Sequence, residues 1–369
     1  MSANSVKWVR LGDYIEPFEE RNFLGYNYPF YGINKDKTFM PTIANTNELD
    51  NTKYKIVNYN DFVFSGMQTG RDICIRIALY DKKTPILISP AYTTFKIKDT
   101  SIIIPQYLFI QFNRLEMDRY GWFLSDSSVR SNLDWNRFCD IEIPLPDPKV
   151  QQELVDTYNG LKALAEQNEA LIEPLSKACE AFIVDCKNKY PEVVLMEYIE
   201  ERTEKNRDNL YNSIDARGVY CDGTFGETKA NLIGCDLFSY KVVCTDDFAY
   251  SNRINIGSIA LNFDSTVIVS PSYTVFRIVS NKIIPKFLFI LLRRKEFLRS
   301  TLFYAIGTIK DDFSYERMQE VKIPLPPLEV QQSIVNVYNC LEEAKKIAKE
   351  AREKLKTLCP ALVQRAANS

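Results

Sequence analysis

Histidine is absent from all 369 residues. That absence removes Ser-His and Cys-His nucleophile pairs, histidine-ligated nuclease metals and HExxH zinc chemistry together. Carboxylate chemistry stays open, but the commonest general base is missing, so composition points away from catalysis. No apolar run approaches the roughly 18 residues that cross a bilayer, and the opening MSANSVKWVRLGDY lacks the charged-then-apolar pattern of a signal peptide. The expectation is a cytoplasmic protein with no membrane partner. Cys74, Cys139, Cys179, Cys186, Cys221, Cys235, Cys244, Cys340 and Cys359 are odd in number and never form CxxC; they read as buried free thiols in a reducing compartment. An excess of basic charge is also missing. With 46 Lys and Arg against 48 Asp and Glu, any nucleic-acid site must be a local basic surface or one shared with a partner.

What is present fits a soluble globular chain, 46% hydrophobic and 25% charged, and the length suggests two or three domains. The chain is a tandem duplication. LGDYIEPFEERN (11–22) matches LMEYIEERTEKN (195–206), and YKIVNYNDFVFS (54–65) matches YKVVCTDDFAYS (240–251). SPAYTTFKI (89–97) matches SPSYTVFRI (270–278), and IPQYLFIQFNR (104–114) matches IPKFLFILLRR (284–294). Colinear matches at a spacing near 180 residues suit whole domains plus connectors, since solenoid repeats are far shorter. Between FVFS and SPAY the copies diverge: one framework carries two different loops, which suggests two related recognition tasks with different targets.

Within each copy, β-branched and aromatic runs bounded by Asn, Asp, Gly and Pro predict short strands. They fall at 54–57, 62–64, 73–80, 86–88 and 93–97, and again at 241–243, 248–250, 258–262, 266–269 and 274–278. Pro105 and Pro285 open helices, as proline favours the first turn. Each copy then reaches an IPLP strand and turn, Ile143–Pro146 or Ile323–Pro326, and enters a long helix with Gln152 and Gln332 just inside it. The repeated IPLP reads as a domain–helix joint in preference to a free polyproline ligand.

The long helices carry heptads. One seam combines Val150, Thr157, Leu164, Leu171 and Ala178 with Leu154, Leu161, Asn168, Leu175 and Phe182. The other combines Val330, Val337, Ala344, Ala351 and Leu358 with Ile334, Leu341, Ala348, Leu355 and Leu362. Asn168 would help fix register at a cost in stability, while Pro174 and Pro360 should kink or break their helices. The second helix reads as rather short. Pairing the two stripes antiparallel is the economical arrangement, giving a spacer of about 50 Å. The predicted fold is α+β, two tandem-repeated mixed α/β domains (1–148 and 191–327) joined and separated by two long antiparallel coiled-coil helices (149–190 and 328–369).

The ordered, duplicated set of WVRLGDY, SPAY/SPSY and IPLP…QQ…V leading into a long helix resembles the specificity subunit of type I restriction–modification systems, over essentially the whole chain. The resemblance implies two target recognition domains, each reading half of an asymmetric bipartite site in double-stranded DNA. It implies docking of two methyltransferase (modification) subunits and two motor-endonuclease (restriction) subunits. S-adenosylmethionine, ATP and magnesium would belong to those partners, and this chain would hold no cofactor, no metal and no catalytic residue.

Arg, Lys, Asn, Gln and short hydroxyl side chains supply most phosphate and base contacts. The divergent loops therefore nominate Gln68, Thr69, Arg71 and Arg76 in the first copy, and Asn252, Arg253 and Asn255 in the second. A second nominated pair of loops aligns Ser127, Ser128 and Arg130 with Gly307, Thr308 and Lys310, a hydroxyl-rich or glycine-bearing turn with one basic residue that suits a phosphate. The early loop NKDKTF adds Lys35 and Lys37, opposite YCDGTF. Arg114 and Arg119, matching Arg294 and Arg299, read as an exposed helix face near Glu116 and Glu296. Two rival functions have weaker support. SPAY and SPSY are superficially like an adenine-methyltransferase NPPY loop but lack its second proline, and no glycine-rich cofactor loop is present. A duplicated protein-binding scaffold is compatible with the near-zero net charge.

Overall fold

The computed structural model describes residues 7–42, 49–67, 69–126, 131–251, 259–304 and 313–368, with side chains described to residue 356 of the last helix. The first copy runs β1 (Lys7–Arg10), β2 (Ile15–Phe18), β3 (Phe30–Ile33), β4 (Phe39–Pro41), β5 (Lys55–Val57), β6 (Phe62–Ser65), α1 (Thr69–Asp72), β7 (Arg76–Leu79), β8 (Ile86–Ile88) and β9 (Thr93–Ile97). It continues through α2 (Pro105–Phe112), α3 (Leu115–Leu124), α4 (Trp135–Cys139) and β10 (Glu142–Leu145) into α5 (Pro148–Lys189). The second copy runs β11 (Glu192–Val194), β12 (Ile199–Glu201), β13 (Ala216–Val219), β14 (Phe225–Glu227), β15 (Lys241–Val243), β16 (Phe248–Ser251), β17 (Ile259–Leu261), β18 (Val267–Val269) and β19 (Tyr273–Ile278). It ends with α6 (Pro285–Leu292), α7 (Lys295–Tyr304), β20 (Lys322–Pro324) and α8 (Leu328–Asn368).

The sheets repeat the same order. β2-β9-β6-β7 corresponds to β12-β19-β16-β17, β4-β3-β8-β5 to β14-β13-β18-β15, and the β1-β10 pair to β11-β20. Each β6-type strand is apolar throughout because both its faces are covered. Phe62 and Phe64 join Phe95, Tyr107, Phe112 and Phe138 under the helices, while Val63 faces Val57, Ile86 and Ile88 of the outer sheet. Phe248 and Tyr250 against Ala249 repeat that division. Stacked Phe62–Phe95 and Phe248–Phe276 rings, both with centroids 4.8 Å apart, mark the two equivalent centres. Each domain is therefore three layers: helices, a mixed-face sheet and an outer sheet.

Several expectations are corrected. Strands β2 to β4 precede the first predicted one, and NKDKTF and YCDGTF are hairpin turns between β3 and β4 and between β13 and β14. The predicted strand 73–80 begins only at Arg76, because α1 precedes it and Ile73 turns the chain at φ 47°. Pro174 ends nothing, since α5 is continuous for 42 residues, and α8 runs on through Pro360 for 41. Pro174 lies on an exposed face, where the carbonyl deprived of its N–H partner can be hydrated. The second helix is not short. Cys221, Cys235 and Cys340 are exposed, against the expectation of burial, whereas Cys74, Cys179 and Cys186 are buried.

The duplicated junction rests on a buried glutamine, the first of each QQ pair. Gln151 is wholly buried; its Oε1 accepts from the Ile104 N–H at 2.9 Å, and its Nε2 donates to the carbonyls of Ile102 at 2.8 Å and Pro146 at 2.9 Å. Gln331 repeats the pattern with the Ile284 N–H at 2.9 Å and the carbonyls of Lys282 at 2.8 Å and Pro326 at 2.9 Å. One amide thus ties three segments: the loop before α2 or α6, the IPLP turn and the first turn of the long helix. Its three bonds explain why this junction is written twice.

The chain forms two compact units, Met1–Gln167 with Ile347–Ser369, and Asn168–Lys346, so the boundaries fall inside α5 and α8. In the first unit Leu154 and Val155 enter the core, with Val150 and Tyr158 packed on it. In the second, Ile183 and Cys186 share a core with Ile334 and Val335, with Val330 and Tyr338 packed on it. Farther from that end, Cys179 lies within electrostatic reach of Cys340 and Lys345, so the two helix segments of this unit run antiparallel.

The α5 seam is offset from the expected one. Leu164 and Leu171 are 42% and 50% exposed, as is Phe182 at 48%. The inward line passes instead through Gln151, Tyr158, Ala165, Ile172, Cys179 and Cys186, flanked by Leu154, Leu161, Asn168 and Leu175. The one-residue shift follows from Val155 and Tyr158, which anchor the helix on the first core in that register. In α8, Ile334, Leu341, Ala344, Ala348 and Ala351 are buried and Leu355 is half-buried. The side chains of Leu358 and Leu362 lie outside the described residues.

Candidate nucleic-acid interface

In the first unit, loops distant in sequence converge. The Gly70 N–H donates to the Ser131 carbonyl at 3.0 Å, and the Leu133 N–H to the Gly66 carbonyl at 2.9 Å, so Gly66 and Gly70 are laced to Ser131 and Leu133. Gly70 permits this approach, because a Cβ there would stand 2.4 Å from that of Ser131. The β3–β4 hairpin comes alongside and supplies Lys35.

A buried carboxylate organises the cations. The Asp72 side chain is 4% exposed; Arg71 Nε donates to it at 3.0 Å, Arg76 pairs with its other oxygen, and Lys35 Nζ lies 3.6 Å away. The hydrogen bond from Arg71, then that from Arg76, lowers the Asp72 pKa to about 2 against the opposing effect of burial. It is therefore an anion at any physiological pH. Three cations thus gather about one anion in a chain of near-zero net charge. Arg71 and Lys35 remain more than half exposed, while Arg76 is 23% exposed.

Two nominated residues serve the fold instead. Lys37 is 6% exposed, donating to the Phe112 carbonyl at 2.5 Å and to both Asp118 oxygens at 2.8 Å. It braces the hairpin against α2 and α3 and does not face solvent. Thr69 is wholly buried, its hydroxyl donating to the Gly66 carbonyl at 2.9 Å. Arg114 and Arg294 pair with Glu116 at 3.8 Å and Glu296 at 2.8 Å. Gln68, Ser127, Ser128, Arg130, Asn252, Arg253, Asn255, Gly307, Thr308 and Lys310 lie outside the described residues.

The second unit places its cations differently. Where the first has Lys37 it has Gly223, at φ 82°, and Arg293 of the α6 terminus fills the vacated space; a Cβ on Gly223 would stand 1.8 Å from Arg293 Nη1. A cleft of about 650 Å³ opens beside it, lined by Arg217, Lys286, Phe263, Phe289 and Asp222 among others. Lys286 Nζ sits 4.9 Å over the Phe263 ring and the Arg293 guanidinium 5.5 Å over Phe289, geometry suited to cation–π attraction. Sequence reading missed Arg217, Lys286 and Arg293. The only available signal was the Lys37-to-Gly223 and Asn113-to-Arg293 exchange between aligned copies. SPAY and SPSY form tight turns, with Tyr92 N–H on the Ser89 carbonyl at 3.1 Å and Tyr273 N–H on Ser270 at 3.0 Å.

A family profile for the type I restriction modification DNA specificity domain matches residues 15–175 and again 201–357. The chain belongs to that family. Among solved structures, the fold is similar to that of the type I restriction-modification S subunit from M. genitalium, at 14% identity and a TM-score of 0.64, with 99% of each chain covered. The HsdS subunit from Thermoanaerobacter tengcongensis is matched at 18% identity and a TM-score of 0.42, covering 99% of this chain and 97% of that one. No curated protein matches. As a specificity-domain protein, the chain carries its family's unit twice, on one framework. Among the described residues no helix is long and apolar enough to cross a membrane.

Proposed function

We propose that this chain is the addressing subunit of a type I restriction–modification enzyme and performs no chemistry itself. Each recognition domain reads one half of an asymmetric bipartite site in double-stranded DNA. Two modification subunits that use S-adenosylmethionine dock on the chain, and two restriction subunits with ATP and magnesium complete the assembly. The long helices set the unspecified gap, each spanning about 60 Å at 1.5 Å per residue. The half-exposed Leu171 and Phe182 give the second part of α5 an apolar line for a partner.

One observation carries the reading: matching frameworks place their cations at different positions. Strand orders and glutamine joints are the same in both copies, while the cations come from the hairpin, α1 and β7 in the first and from β13 and α6 in the second. That is the pattern expected of two readers built alike and aimed at different bases. The test is domain exchange. Replacing residues 1–148 by the matching domain of another specificity subunit should change one half of the methylated sequence and leave the other half and the gap unchanged. A change in both halves would refute one domain per half-site.

A further inference from the structure

The cleft beside Gly223 is made by substitutions between the two copies. Tyr80 of the first copy is buried, its ring edge-on to Phe39 with centroids 5.2 Å apart. The aligned residue in the second is Asn262, whose amide turns to the carbonyls of Val243 at 3.1 Å and Ser265 at 3.0 Å. Phe225, the counterpart of Phe39, is left lining open space. Around it Gln106 gives way to Lys286, Tyr31 to Arg217 and Asp81 to Phe263. The opening of about 650 Å³ lies within the range of small-ligand sites, about 300–1,000 Å³.

The charges that line it are unequally engaged. Asp222 accepts from the Thr224 N–H at 3.0 Å and from its hydroxyl at 2.6 Å, and Glu342 pairs with Lys345 at 2.9 Å; Asp264 stands exposed. Arg217 donates to the Ile214 and Ala216 carbonyls, and Lys286 lies over the Phe263 ring. Among the described residues neither cation forms an ion pair. Phe263 meets Phe289 edge-on, centroids 5.9 Å apart, and is 49% exposed. A ring backed by a cation and half open to solvent is a stacking platform for a flat base. A cation without a carboxylate partner is a place for a phosphate. A double helix cannot enter a cleft of this volume, whereas one nucleotide can.

We infer that this cleft is a pocket for a single nucleotide, its base on Phe263 and its phosphate with Lys286 and Arg217. The same chemistry is supplied by a free nucleotide or by one unstacked from a DNA strand. The inference goes beyond the DNA reading proposed above and does not rest on it.

The experiment is calorimetric titration of the full chain with deoxyadenosine monophosphate, deoxyadenosine, inorganic phosphate and a short single-stranded oligodeoxyadenylate. It is repeated on Lys286→Gln, which installs the residue of the first copy, and on Phe263→Ser. The mononucleotide should bind at one site per chain, and each variant should weaken it about 10-fold, as loss of one charge-assisted contact or one stacked ring implies. Deoxyadenosine and phosphate should each bind at least as weakly to wild type as the nucleotide does to the variants. Both substituted side chains reach solvent, so circular dichroism melts should match wild type. Tighter binding of the oligomer, lost in the same variants, assigns the nucleotide to a DNA strand; equal or weaker binding assigns it to the free pool. No binding of either nucleotide ligand would overturn the inference. So would phosphate bound as tightly as the nucleotide, or affinity unchanged in both variants. Each of those results leaves the domain-exchange test of the proposed function standing.

Discussion

Replacing Gln151 by Met keeps the side-chain length and removes the amide. The Ile104 N–H then loses its acceptor, and the Ile102 and Pro146 carbonyls lose a donor, all around a side chain with no solvent exposure. Each buried polar group left unpaired costs about 1–3 kcal/mol. Local relaxation recovers part of that, so the expected loss is about 3–5 kcal/mol for the first unit. Gln331→Met should cost the second unit the same, since its bonds match in partner and length. Gln151→Glu sharpens the test. The carboxylate would face two carbonyls, so its pKa must rise; stability is then lost as pH climbs through that raised value and partly recovered on acidification, when the acid can donate once. Urea denaturation with hydrogen exchange across residues 99–110 and 143–155 reports the joint directly. A Gln151→Met protein within about 0.5 kcal/mol of wild type, the range of ordinary surface substitutions, would refute the account of the repeated junction.

The Asp72→Asn change removes the anion that orients Arg71, Arg76 and Lys35 while adding net positive charge. Fluorescence anisotropy on the assembled methyltransferase complex should show about 10–100-fold lower discrimination between target and random DNA, together with a steeper salt dependence; unchanged discrimination would argue against this site. Burial, with a smaller contribution from the Glu20 charge, holds Asp61 at about 6 against an ordinary 3.8. Its ionisation therefore opposes folding, and stability attributable to it is lost as pH rises from about 4 through 6, by about 3 kcal/mol at most. Asp61→Asn should stabilise the first unit at pH 8 and do nothing near pH 4, as read by pH-resolved denaturation. At the aligned Asp247 burial again raises the pKa, opposed by the Cys244 N–H and by Arg202 at 2.6 Å, so Asp247→Asn should show the same direction of pH dependence over a narrower span. Lys37→Ala should cost about 3 kcal/mol by stranding Asp118, a figure typical of breaking a largely buried pair, with little change in the salt dependence of DNA binding.

Much of the architecture was legible because duplication makes a chain its own alignment. The continuous β-branched and aromatic runs of β6 and β16 and the prolines at 105 and 285 are local signals, and they mark the elements they predict. Strands β2 to β4 escaped notice because they are short, largely half-exposed and interrupted by Pro17, Gly32 or Pro41, so no period-two pattern stands out. The α5 seam was misread by one residue because Leu at 164 and 171 looks like core, whereas Val155 and Tyr158 set the register through tertiary contact. The site was half visible. Arg71, Arg76 and Lys35 carry a compositional signal, but Asp72, which joins them, is an ordinary acidic residue until the fold buries it. Lys37 shows the converse: a lysine in a polar turn looks solvated, and only the approach of Asp118 turns it inward. Gln151 was passed over for the neighbouring Gln152, which is exposed and whose amide donates to Asp156.

The central claim is that this chain directs methylation to a two-part sequence. Expressing it with its modification subunit in a host free of DNA methylation, and mapping methylated adenines by single-molecule sequencing, tests that directly. A bipartite motif with a fixed gap, absent when the chain is omitted, is the predicted result. A folded, co-purifying complex that leaves no motif, or a motif that persists without this chain, would contradict it.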